Sequence, residues 1–94
     1  HRDLHSFPTR RSSDLAECRA SVQTATRLGA QVVPRAQVAA TTMEQTYQLG
    51  ELSLLEVIDA RRTLLEARRR YLRTLSRAQI DCHRLGALVG EEPR

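Results

Sequence analysis

The chain has 94 residues, a net charge of +4, two tyrosines, two cysteines and no tryptophan, and all 15 of its basic residues are arginine. It contains no run of about twenty apolar residues, which excludes a membrane-spanning helix. It also lacks alternating segments of about ten residues with aromatic girdles, which excludes membrane β-barrel strands within this stretch. The arginines between Arg61 and Arg84 are interleaved with acids at helical spacing: Glu66–Arg70 and Arg77–Asp81 are four apart, and Asp59–Arg62 three apart. That pattern reads as a solvated, ion-paired helix face. A nucleic-acid surface would want basic residues without nearby acids, together with stacking aromatics or a recognised motif, and no nucleic-acid partner is expected.

His1 to Leu15 clusters Ser, Arg and Pro without apolar periodicity, which predicts disorder. The segment resembles the in-frame translation of a common sequencing-library adapter, which implies an artefact joined to the chain rather than part of its fold. Its opening His1-Arg2-Asp3-Leu4 matches the start of a protein-kinase catalytic loop. The asparagine that should follow is absent, as are the glycine-rich loop and the metal-binding motif, so the match is a decoy.

A first helix is predicted from about Ala16 to Leu49. Cys18, Val22, Ala25, Gly29, Val32, Ala36, Ala39, Met43 and Thr46 or Tyr47 form one seam with spacings of three and four. These are mostly small residues, which let a neighbouring helix approach closely. Pro34 removes a backbone donor and crowds the preceding turn, so a kink or break is expected near Gln31–Pro34. Alternatively, Pro34 sits in the first turn of a second helical segment.

Between Tyr47 and Ala60 one helix stops and another starts. Gly50 can take the left-handed conformation that ends a helix without a Cβ penalty. Ser53 is placed to cap the next helix, and Glu56 completes a Ser-x-x-Glu capping box. Leu52 and Val57 have the spacing of a hydrophobic staple.

The second helix is predicted from about Leu54 to Leu88, and its apolar residues fall into two stripes. One holds Val57, Ala60, Leu64, Ala67, Tyr71, Leu75, Ala78, Cys82 and Leu85; the other holds Leu54, Ile58, Leu65 and Leu72. Arg61, Arg68 and Gln79 sit between them. A helix in a two-helix hairpin needs one seam, so two seams imply two neighbours, as in a bundle or a ring of helices. A single broad core-facing stripe of a small bundle is the plainer alternative. Each helix would be roughly 50 Å long, and two such rods packed only on each other leave a long apolar face wet. The expected fold is therefore all-α: a long antiparallel, coiled-coil-like helical hairpin with a short tail at 91–94.

The ordered set Tyr47-x-x-Gly50-x-x-Ser53-Leu54-x-Glu56-Val57-Ile58-Asp59-Ala60, followed by Leu64-Leu65-Glu66-Ala67-Arg68 and Tyr71-Leu72, resembles the C-terminal repeat of the TolC-like outer-membrane efflux proteins. The Leu85-x-x-Leu88-x-Gly90 ending fits the same repeat. Pro34 and the wording around Gly50-Glu51 and Leu54-Leu55-Glu56 resemble members serving heavy-metal cation efflux. The resemblance implies a homotrimeric channel of a Gram-negative bacterium, with a β-barrel in the outer membrane continuing into a periplasmic α-barrel. A periplasmic adaptor and an inner-membrane pump would dock at the helical end. This chain would supply one helical hairpin of that barrel, lacking the β-barrel strands and the first repeat.

On the same resemblance, Gly50, Glu51, Leu52 and Ser53 form an adaptor-docking tip, and Tyr47 matches an entrance tyrosine. A plain turn and a core-edge tyrosine are the alternative readings. Glu56 and Asp59 match acidic positions of the pore constriction, where threefold repetition gives a ring of negative charge. The capping box and the helix dipole already account for Glu56. Leu52 departs from relatives that carry a basic residue there, which puts an ion-paired latch in doubt.

Asp81, Cys82 and His83 are consecutive and point about 100° apart on a helix, so they do not converge on a metal. Folding the hairpin about Gly50–Leu52 brings Cys18 and Cys82 to nearly the same height. Helix axes pack about 8–10 Å apart and bridged Cα atoms must come within about 7 Å, so a disulfide and two free thiols both stay open. No Ser/His/Asp set, phosphate loop or Cys-x-x-Cys motif occurs. Neither catalysis nor a cofactor is expected. The rival functions are the α-hairpin of a periplasmic adaptor and a generic coiled-coil interaction module.

Overall fold

The computed structural model describes residues 2–88, with side chains from 12 to 86. The protein is all-helical, with no strand among the described residues. Helix α1 spans Arg2–Arg27, a π turn follows at Leu28–Val32, α2 spans Val33–Gln48, and α3 spans Leu54–Leu88. None of these helices is long and apolar enough to cross a membrane. The tail predicted at 91–94, and Gly90, lie outside the described residues.

Two sequence expectations need correcting. Disorder is predicted through Leu15, yet α1 starts at Arg2. Once a helix is nucleated, each further residue adds a hydrogen bond at little cost, so α1 extends N-terminally from the alanine-rich stretch after Leu15. Asp14 is buried and Ser13 donates to Glu17 one turn on (3.4 Å), so the helical surface is engaged on that side of Ala16.

The second correction concerns the first-helix seam. Val22, Val32, Ala39 and Met43 are exposed, whereas Ala25, Leu28 and Ala40 are buried and Ser21 half-buried. A strict heptad assumes a uniform helical pitch. The π turn, in which the Val33 N–H donates to the Leu28 carbonyl, adds a residue to one turn and shifts the phase of everything after it. Instead of breaking at Pro34, the backbone stays right-handed through Val32 and Val33, and Pro34 lies in the first turn of α2. Proline has no N–H and its ring presses on the turn before it; the wide π turn makes room there.

The described chain divides into two compact units, one formed by residues 26–73 and the other by the described residues on either side of it, 2–25 and 74–88. In the first, α3 meets the π turn and α2. Tyr71 lies over Gly29, where an added Cβ would come within 2.7–2.9 Å of the tyrosine's outer ring atoms and hydroxyl. Arg68 donates to Gln37, and Arg61 pairs with Glu44. Leu28, Ala40, Val57 and Leu64 are the buried apolar residues of this unit.

In the second unit Cys18 and Cys82 are joined by a disulfide with a Cα–Cα distance of 4.7 Å. That separation is shorter than the usual helix-axis spacing because Cα atoms on facing surfaces stand closer than the axes do. Beside the disulfide, the Ser21 hydroxyl donates to Asp81 Oδ2 at 2.5 Å, and Arg77 Nε stands 3.5 Å from Oδ1. Ala25 and Ala78 supply the buried apolar surface.

Candidate functional site

The segment between α2 and α3 is built from backbone chemistry readable residue by residue. Gly50 has φ +79°, the left-handed region that a glycine enters without strain. The Gly50 N–H donates to the Tyr47 carbonyl (2.8 Å) and the Glu51 N–H to the Thr46 carbonyl (3.2 Å). These two bonds together are a Schellman closure, and they satisfy carbonyls the end of α2 would otherwise leave open. Three residues later Ser53 caps α3. The Glu56 N–H donates to Ser53 Oγ (3.4 Å), while Glu56 Oε2 accepts the Ser53 backbone N–H (3.1 Å) and hydroxyl (3.2 Å). The reciprocal pair is a capping box. At the staple positions Val57 is buried and Leu52 half-buried.

This geometry separates the two acids. Both acids are exposed, but the Glu56 carboxylate is drawn back onto the Ser53 cap, whereas Asp59 lies one turn further on, clear of the capping box. Of the predicted docking residues, Gly50, Glu51 and Ser53 are exposed, and Tyr47 also presents surface to solvent. Tyr47, Leu54 and Ile58 line one shallow groove together with Glu44, Val57 and Arg61.

Along α3 the two apolar stripes have opposite fates. In the first, Val57, Leu64 and Ala78 are buried, and Ala60, Ala67, Tyr71, Leu75, Cys82 and Leu85 are half-buried. In the second, Leu54, Ile58, Leu65 and Leu72 stay 53%, 44%, 49% and 61% exposed. Arg61 and Arg68 mark the boundary between the stripes, and both reach toward α2. Exposed apolar side chains scattered singly are ordinary, but these four form one aligned row.

Glu44, Gln37 and the Gly29–Tyr71 contact are absent from the sequence reading. Glu44 is the only acid between Glu17 and Glu51, a signal that could have been matched to Arg61 by counting outward from the turn. Gly29 and Tyr71 lie on the two predicted seams and stand equally far from Gly50, as Cys18 and Cys82 do, so the same count brings them to one height; how closely the ring meets the glycine depends on local helix approach. No group of three or more potential ligands is placed to hold a metal among the described residues; Asp81 is buried and His83 exposed. The chain matches no protein-family model, no curated protein and no solved structure.

Proposed function

We propose that the chain is a helical hairpin from the periplasmic α-barrel of a TolC-like outer-membrane efflux channel, one component of a tripartite export system. The observation that carries this reading is the second stripe of α3, Leu54, Ile58, Leu65 and Leu72, which remains exposed while the first is covered. A hairpin in a ring of helices has a neighbour on each flank and needs both stripes. An antiparallel arrangement of α2 and α3 is supported by their partners: Glu44 with Arg61, Gln37 with Arg68, and Gly29 with Tyr71, descending on one side as they ascend on the other.

In this reading Gly50, Glu51, Leu52 and Ser53 form the tip that meets a periplasmic adaptor, with an inner-membrane pump beyond it. The functional form is a homotrimer anchored by a β-barrel in the outer membrane. Asp59 is the better pore acid, because Glu56 already serves the cap.

The reading frame upstream of residue 16 in the source genome tests the proposal. A second Tyr-x-x-Gly repeat and amphipathic β-strands are the expected result. Lipoyl-like β-segments would overturn it in favour of an adaptor hairpin, and neither feature would leave a coiled-coil module. In the complete protein, Glu56→Ala with Asp59→Ala should reduce cation selectivity in single-channel recordings; unchanged selectivity would remove the acidic ring.

A further inference from the structure

The uncovered stripe of α3 has a border that specifies its occupant. Ile58, Leu65 and Leu72 stand seven residues apart, with Leu54 four before Ile58. At about 100° per residue these four lie within about 40° of one another around the helix axis. The stripe is therefore a narrow seam, and it carries no aromatic residue. A membrane interface takes a wider apolar face with Trp or Phe, whereas a seam with a seven-residue repeat receives another helix, knobs into holes.

Arginines flank this seam on both sides. Arg62, Arg69 and Arg73 are exposed along one edge, and Arg61 and Arg68 lie along the other. The shallow groove over Ile58 and Leu65 is lined by Arg61, Arg62 and Arg69 against a single acid, Glu66. With Ile58, Leu65 and Leu72 as the a positions of a heptad, Arg61 and Arg68 occupy d, and Arg62 and Arg69 occupy e. A second copy of α3 on this seam would set arginine against arginine in and beside the interface, which like-charge repulsion opposes.

We infer that this face binds one amphipathic helix whose own apolar heptad seam is bordered by Asp and Glu, with those acids paired to Arg62 and Arg69. The inference deepens the channel reading by giving the chemistry of the neighbouring helix. It rests on that reading only for naming the neighbour as a helix of the same barrel; the exposed seam and its arginine border stand without it. An upstream frame without a second repeat therefore overturns the channel reading, while peptide binding still decides this inference.

The test uses the full oxidised chain and two synthetic helical peptides sharing one Leu/Ile heptad seam, one with Glu and one with Lys at the flanking positions. In fluorescence anisotropy the Glu peptide binds at least about tenfold more tightly than the Lys peptide, and the difference shrinks as salt is raised. The double reversal Arg62→Glu/Arg69→Glu inverts the preference, and Leu65→Asp abolishes binding, with helicity by circular dichroism unchanged in both. Equal binding of the two peptides, a reversal that leaves the preference intact, self-association that excludes the peptide, or preferential capture by anionic vesicles would each overturn the inference.

Discussion

The two units of this chain reach order by different chemical means. The unit of residues 26–73 buries Leu28, Val57 and Leu64 and seats Tyr71 on Gly29. The other buries two alanines and holds together through the Cys18–Cys82 disulfide and the Ser21–Asp81 hydrogen bond. A buried Val or Leu contributes about 1.5–3 kcal/mol, and an alanine much less. Covalent and polar links stand where apolar bulk is scarce, as in small domains whose cores are insufficient alone. Among the described residues no side chain of either unit is fully buried, so each link matters more than it would in a thick core.

The sharpest way to break this comparison is reduction. The disulfide closes a sequence separation of 64 residues, and the chain-entropy model gives such a cross-link roughly 4 kcal/mol. Hydrogen exchange of the reduced chain, or of Cys18→Ser/Cys82→Ser, should show protection lost in residues 14–25 and 74–86, with residues 33–48 and 54–70 largely retained. Uniform loss across both would mean that the two units fold as one cooperative block.

The next effect belongs to the other unit. A side chain at Gly29 would overlap the outer end of the half-buried Tyr71 ring, which must swing aside, so the cost falls at the low end of the about 1–3 kcal/mol of core overpacking. Gly29→Val should lower the urea midpoint, and Tyr71→Ala in the same chain should recover part of that loss, because the clash and the ring are removed together. A double mutant that shows the sum of both single losses would mean that the Gly29–Tyr71 contact does not limit packing. Gly29→Ala is a milder probe, since its steric cost is offset by about 1 kcal/mol of helix propensity.

The turn and the two stripes of α3 were legible in the sequence because their causes are local. Gly50, Ser53 and Glu56 act through bonds to residues three to five away, and the α3 stripes follow from a helix of constant pitch. In the first helix the predicted seam holds at Cys18 and Ala25, but Ser21 turns inward in place of Val22 ahead of the π turn. Beyond the π turn the inward positions move one residue on, to Val33, Ala40 and Glu44 in place of Val32, Ala39 and Met43. Leu28, at the first residue of that turn, is buried beside the seam position Gly29 without any change of phase. For the cysteines, the count outward from Gly50 gave their height, but whether their Cα atoms came within bridging distance depends on local helix approach, which no sequence spacing specifies.

The smaller predictions ask how much the polar groups of the 26–73 unit add to its apolar seam. Removing the cap by Ser53→Ala takes the partner from the Glu56 N–H and should cost about 1 kcal/mol, seen as faster exchange in the first turn of α3. Smaller still is the Arg61–Glu44 pair. Its side chains are 63% and 37% exposed, and pairs in such surroundings are worth about 0.2–1 kcal/mol, less at high salt. A double-mutant cycle with Arg61→Ala and Glu44→Ala should therefore give a coupling below about 1 kcal/mol. A coupling several times larger would mean that the pair, like the disulfide of the other unit, is a principal fastening. The contrast between an apolar-held unit and a cross-linked one would then have to be redrawn as two kinds of polar and covalent fastening over equally thin cores.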